Sequence, residues 1–108
     1  MITMVAHMRV KPENATAYEA ILTYVRDQTR AHEPGVIYYD FAKSVKEPNL
    51  YLVVEVYRDV AAQQSHMQTE WVKSSIPKSI ALFDGRPDIK QYVSPGAEPV
   101  PPEKLTMA

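Results

Sequence analysis

The chain has 108 residues, with 12 Lys and Arg against 13 Asp and Glu, a formal net charge of −1, and 45% hydrophobic residues. A chain this short hides roughly 60 to 65% of the surface its unfolded form exposes, which allows one core and excludes a separate dinucleotide-binding half. The near balance of charge, with no basic block, excludes a nucleic-acid or anionic-membrane partner held by long-range attraction. The absence of cysteine excludes disulfides, thiolate metal sites and a catalytic thiol.

Met1 to Val10 alternates Ile2, Met4, Ala6, Met8 and Val10 with Thr3, Val5, His7 and Arg9, the period of a half-buried strand, β1. The same stretch holds no uninterrupted apolar run, so the chain is expected to be soluble and cytoplasmic, with no membrane partner. Lys11-Pro12-Glu13-Asn14 then supplies a rigid turn and a helix cap. Apolar spacing from Ala17 to Val25 predicts helix α1 from about Asn14 to Ala31, stopped by Glu33-Pro34-Gly35. Val36 to Lys43 and Leu50 to Tyr57 are rich in β-branched and aromatic residues and are separated by a turn at Glu47-Pro48-Asn49, giving a hairpin of β2 and β3. Asp59 caps α2, from Val60 to about Gln68, and Thr69 caps α3, to about Phe83, with a kink expected at Pro77. Ile89 to Val93 alternates as β4.

This order is that of an α+β, ferredoxin-like split βαβ fold with a four-stranded antiparallel sheet. Residues 1–93 make the domain. Residues 94–108, with four prolines, are expected to form a tail that adds little to the core and either stays disordered or lies along a partner. In β3, one face is wholly aliphatic (Leu50, Leu52, Val54, Val56) and the other carries Tyr51, Val53, Glu55 and Tyr57. The tyrosine face is the better suited of the two to a second protein surface, although alternation alone leaves open which face meets the helices.

The Lys11-Pro12 turn, Thr29-Arg30 followed by Glu33-Pro34-Gly35, and the tyrosine-rich strand form the first half of an ordered set. Glu55-Val56-Tyr57, Asp59, Ala61-Ala62 and His66, seven residues past Asp59, complete it. From about Ile2 to Val93 the chain resembles the antibiotic biosynthesis monooxygenase domain. The resemblance implies a dimeric α/β barrel, a homodimer in which two sheets pack face to face. It also implies activities that include cofactor-independent oxygenation of phenols and quinols, haem degradation and isomerisation of small metabolites.

In the oxygenase chemistry so implied, the substrate supplies the electrons. A base removes a proton, the anion passes an electron to O2, and recombination forms the product, so the protein needs a base, oxyanion donors and a dry aromatic pocket, but no cofactor. His66, where the family pattern has its histidine, is the first candidate for the catalytic base. Its structural alternative is a hydrogen bond to Glu55 or to a backbone carbonyl. His7, on the mixed face of β1, is the second candidate, against the reading of an exposed or interface histidine. Trp71, Tyr51 and Glu55 are candidates for substrate binding, and each has a structural alternative: packing for Trp71 and Tyr51, an ion pair with Arg9 or Arg58 for Glu55. His32 is read as a helix-end residue.

Histidines at positions 7, 32 and 66 do not have the spacing of a metal set. The segment Lys73 to Phe83, where haem-degrading relatives carry their ligand, holds no histidine. The leading expectation is therefore a cofactor-free monooxygenase of an aromatic phenol or quinol. A cofactor-free isomerase or lyase of a small hydroxy-carbonyl compound, in which His66 moves a proton, and a non-catalytic dimeric ligand-binding module are the alternatives.

Overall fold

A computed structural model describes residues 1–105 of the chain. The elements are β1 (Ile2–Arg9), α1 (Ala15–His32), β2 (Val36–Lys43), β3 (Leu50–Tyr57), α2 (Val60–Met67), α3 (Glu70–Ile80) and β4 (Asp88–Val93), with 3-10 turns at Pro12–Asn14 and Pro102–Lys104. The strands form one antiparallel sheet in the order β2-β3-β1-β4, the ferredoxin-like arrangement expected from the sequence. Among the described residues no helix is long and apolar enough to cross a membrane.

Alternation decides which side chains meet the helices. Ile2, Met4, Ala6 and Met8 of β1 are buried, and in register beside Ala6 and Met8 stand the buried Val53 and Tyr51 of β3. The tyrosine face of β3 is thus the helix-facing one, because Tyr51 and Tyr57 are fully covered while the aliphatic residues keep partial exposure on a face that no helix covers. Alternation alone leaves this choice open; the register with β1 decides it. The tyrosine rings fill the wide space between sheet and helices: Tyr18 of α1 meets both Tyr51 and Phe83 edge to face.

Local chemistry explains most element boundaries and corrects others. The Asp59 carboxylate accepts from the Ala62 amide at 2.8 Å, and the Thr69 hydroxyl accepts from the Val72 amide at 3.3 Å, as caps should. Asn14 does not cap α1. The turn Pro12–Asn14 feeds directly into the helix, and the Asn14 side-chain amide donates instead to the Leu82 carbonyl at 3.3 Å. Helix α3 passes through Pro77 and ends at Ile80, short of the expected Phe83, which instead bridges Val10 beyond the end of β1.

Gly35 is where the fold brings its two halves together. A Cβ at this position would stand 2.8 Å from the Ala62 Cβ, so the first turn of α2 rests directly on the turn that leaves α1. The Gly35 carbonyl also accepts from the Arg58 amide at 3.0 Å. Gly35→Ala is expected to push α2 outward and cost about 1 to 3 kcal/mol, the usual range for overpacking. Chemical denaturation of the variant checks this; an unchanged midpoint would show that the two elements can separate freely.

The proline-rich segment is part of the fold, contrary to expectation. Ser94 bonds back to the Met1 carbonyl, Gly96 turns the chain at φ 87, and the Gln91 carboxamide then clamps Val100. It accepts from the Val100 amide at 2.7 Å and donates to the Val100 carbonyl at 3.1 Å. Val100 is 1% exposed and closes a second apolar cluster with Ile2, Met4 and Tyr57. A single well-placed valine between prolines carries this packing, which composition alone does not reveal.

Candidate active site

Four elements converge on His66. It lies near the end of α2 with its side chain 3% exposed, below the exit of α1 and above the helix-facing side of β2 and β3. Its Nδ1 stands 2.9 and 3.1 Å from the two carboxylate oxygens of Glu33, the residue that ends α1. The Trp71 indole, from the first turn of α3, donates to the same carboxylate at 2.7 Å. Burial pushes the Glu33 carboxyl up, but the bonds from His66 and Trp71 outweigh it and hold the group below its ordinary value of 4.5. Glu33 is therefore an acceptor only at neutral pH, and both nitrogens donate to it. In the neutral tautomer the bond to Glu33 places the proton on Nδ1 and leaves Nε2 as a lone-pair acceptor.

Nε2 is 3.8 Å from Glu55 on β3. The Glu55 side chain keeps 19% exposure and lines the same cavity as His66, and the Tyr57 hydroxyl donates to its carboxylate. Burial is the largest influence on Glu55 and, with the nearby Glu33 charge, raises its carboxyl above 4.5 despite His66 and Tyr57. A group whose folded value is raised stabilises the fold below its ordinary value and loses that contribution as pH rises through the folded value. Glu55→Gln, which keeps an acceptor for Tyr57, is therefore expected to melt higher than the parent at pH 7, with the difference closing as pH falls below 4.5. Thermal melts across that range check the sign.

The cavity runs between the sheet and helices α1 to α3 and has a volume of about 100 Å³. One end is polar, with His66, Glu55, Tyr39 and Gln63; the remainder is mainly aliphatic and methionine side chains, with two serines from α3. Tyr39 sits with its ring centroid 5.4 Å from that of His66. Burial first, then the Glu55 charge, keeps its hydroxyl well above the usual phenol range, so it stays a hydrogen-bond donor. Among the described residues no group of three or more His, Cys, Asp or Glu side chains is arranged to hold a metal ion.

Of the residues singled out from sequence, His66 and Glu55 meet at the cavity. Trp71 stands behind it, bound to Glu33 and within 5.4 Å of the His32 ring. Tyr51 faces the helices but does not line the cavity; its hydroxyl donates to Glu19 at 2.5 Å, and burial together with that carboxylate pushes it up to about 12. His7 is exposed on the opposite face of the sheet, beside Leu52 of β3 and Asp88 of β4, because it is one residue out of phase with Ala6 and Met8. Within one chain the sheet separates it from His66. Tyr39, one of seven tyrosines that could serve as donors, is the one that stands beside His66 at the cavity, whereas Glu33 reads in sequence only as part of a helix stop.

A family model described as antibiotic biosynthesis monooxygenase matches residues 1–77. The chain is 32% identical over 91 residues to "Uncharacterized protein sll1783" of Synechocystis sp., covering 84% of this chain and 61% of that protein's length. It is 28% identical over 89 residues to "Putative monooxygenase YcnE" of Bacillus subtilis, covering 82% of this chain and 93% of the relative. The crystal structure of a "putative antibiotic biosynthesis monooxygenase" from Caulobacter crescentus shares the fold with a TM-score of 0.82 at 27% identity, over 86% of this chain and 88% of that one. By both the family match and the shared fold, the chain belongs to the antibiotic biosynthesis monooxygenase family.

Proposed function

We propose that this protein is a cofactor-independent monooxygenase that oxidises a small phenol or quinol with O2, using His66 as the base. The observation that carries the reading is a buried imidazole whose Nδ1 is bound by a carboxylate and whose other nitrogen is turned toward a largely apolar cavity. Nε2 takes the phenolic proton, and the Glu33 carboxylate stabilises the imidazolium that forms. The Tyr39 hydroxyl is a donor for the developing phenolate oxygen. The electron-rich ring passes one electron to O2, the radical pair forms a C–O bond, and the peroxide oxygen takes up the proton from His66. Loss of water then gives a quinone carbonyl, so a phenol and one O2 yield a quinone and one water.

The volume limits the substrate. A cavity of roughly 150 Å³ admits a benzene ring. The 100 Å³ found here is about two thirds of that, so even a single ring needs the walls to give way by about half, and a fused tricycle needs far more room. Oxygen-electrode assays with a panel of phenols and quinols test the reading: enzyme-dependent uptake by one-ring members is the expected result, and none across the panel counts against it.

The reading includes a homodimer. The sheet face away from the helices carries Val5, Leu52, Val54 and Val56, with Tyr38 and Tyr92 half exposed, which is a face a monomer would leave in water at a cost. Sedimentation equilibrium is expected to give twice the chain mass of 12.3 kDa. One observation favours a second reading, an isomerase or lyase of a small hydroxy-carbonyl compound. His66 and Glu55, 3.8 Å apart, are two proton carriers able to serve neighbouring carbons, and such a reaction would proceed without O2.

A further inference from the structure

We infer that the strap formed by residues 94–105 is the movable wall of the cavity and that Leu105 sets the size of ring the site admits. The inference rests on the reading of the cavity as a hydroxyarene site. Every lining residue except Leu105 belongs to a helix or a strand, where neighbouring hydrogen bonds hold its backbone. Leu105 follows the single turn Pro102–Lys104, and its amide bonds only within that turn, to the Pro102 carbonyl at 3.2 Å. It packs on the Ile2, Met4, Tyr57 and Val100 cluster, and Met4 belongs to that cluster and to the cavity wall alike.

The strap is held near its middle by the Gln91 clamp and the buried Val100 side chain. Pro99, Pro101 and Pro102 restrict the backbone on both sides of Val100, so the segment moves as a stiff piece hinged at its earlier turn, where Gly96 has a φ of 87. Release of one valine and one carboxamide is a small local opening compared with displacing a strand or a helix. The strap in place narrows the site, and the strap lifted enlarges it.

Isothermal titration calorimetry under nitrogen, with phenol, 1-naphthol and 2-hydroxyanthracene as the probes, separates binding from oxidation. In the full chain phenol is expected to bind with preference over 1-naphthol. Leu105→Ala is expected to shift that preference toward the larger ring by about tenfold, and Leu105→Phe to shift it the other way. Gln91→Ala, which removes both bonds of the clamp on Val100, is expected to move in the same direction as Leu105→Ala. Binding of phenol with the same preference in all three variants overturns the strap as a size filter while leaving the hydroxyarene site in place. No binding of any probe to any form overturns the site reading and the filter with it.

Discussion

Asparagine in place of His66 is expected to lower turnover of a hydroxyarene by ~10²- to 10⁴-fold, the range that a positioned general base contributes. The substitution is chosen because its amide still donates to Glu33, so the contact that ties α2 to the end of α1 is kept while the lone pair facing the cavity is lost. The unfolding midpoint should therefore stay close to that of the parent. Full activity in this variant would move the base to Glu55, the other proton carrier at the cavity. Its raised carboxyl value makes it a stronger base once ionised, and a rate rising with pH through that ionisation would be the signature.

Removing Glu33 is expected to have the largest effect on stability. Glu33→Ala leaves the His66 Nδ1 proton and the Trp71 indole proton without their acceptor in a largely buried setting. At about 1 to 3 kcal/mol for each orphaned donor, the loss is about 2 to 6 kcal/mol, a large share of the stability of a domain this size. The milder Glu33→Gln keeps one acceptor oxygen. It can also present its amide to Nδ1, which would put the imidazole proton on Nε2 and remove the base function with the ring still in place. The sign of the pH dependence follows from the depressed carboxyl value of Glu33. Its contribution is complete above the ordinary value of 4.5 and disappears as pH falls through the lower folded value, so parent and Gln variant should converge in acid. Urea titrations at several pH values read this directly.

Much of this architecture was legible in the chain. The alternation of β1, the Asp59 and Thr69 caps and the Glu-Pro-Gly stop lie where local chemistry puts them, because each depends on neighbours within a few residues. The Asn14 side chain escaped that logic because its partner, the Leu82 carbonyl, is 68 residues away. The face of β3 was undecided because both sets of side chains can be buried; the paired register with Met8 and Ala6 decides it. Val100 carries no local signal because prolines surround it; its amide and carbonyl bonds are made by a side chain on β4.

The candidate site was half legible for the same reason. His66 and Glu55 both line one cavity. Glu33 acts across 33 residues, and no local period encodes that contact. His7 shared a strand with cavity residues but was out of phase with them, so one step in register sends it to the far face of the sheet.

The central claim is that His66 starts an oxidation in which O2 is the second substrate and the ring supplies the electrons. Mass spectrometry of the product formed from a one-ring phenol under ¹⁸O2 tests it most directly. The account predicts one ¹⁸O atom in the quinone in single-turnover samples quenched before carbonyl exchange, with the other in water, and no product when oxygen is removed. Product that forms anaerobically, or that carries no label from O2, would contradict it and leave proton transfer as the chemistry of the site.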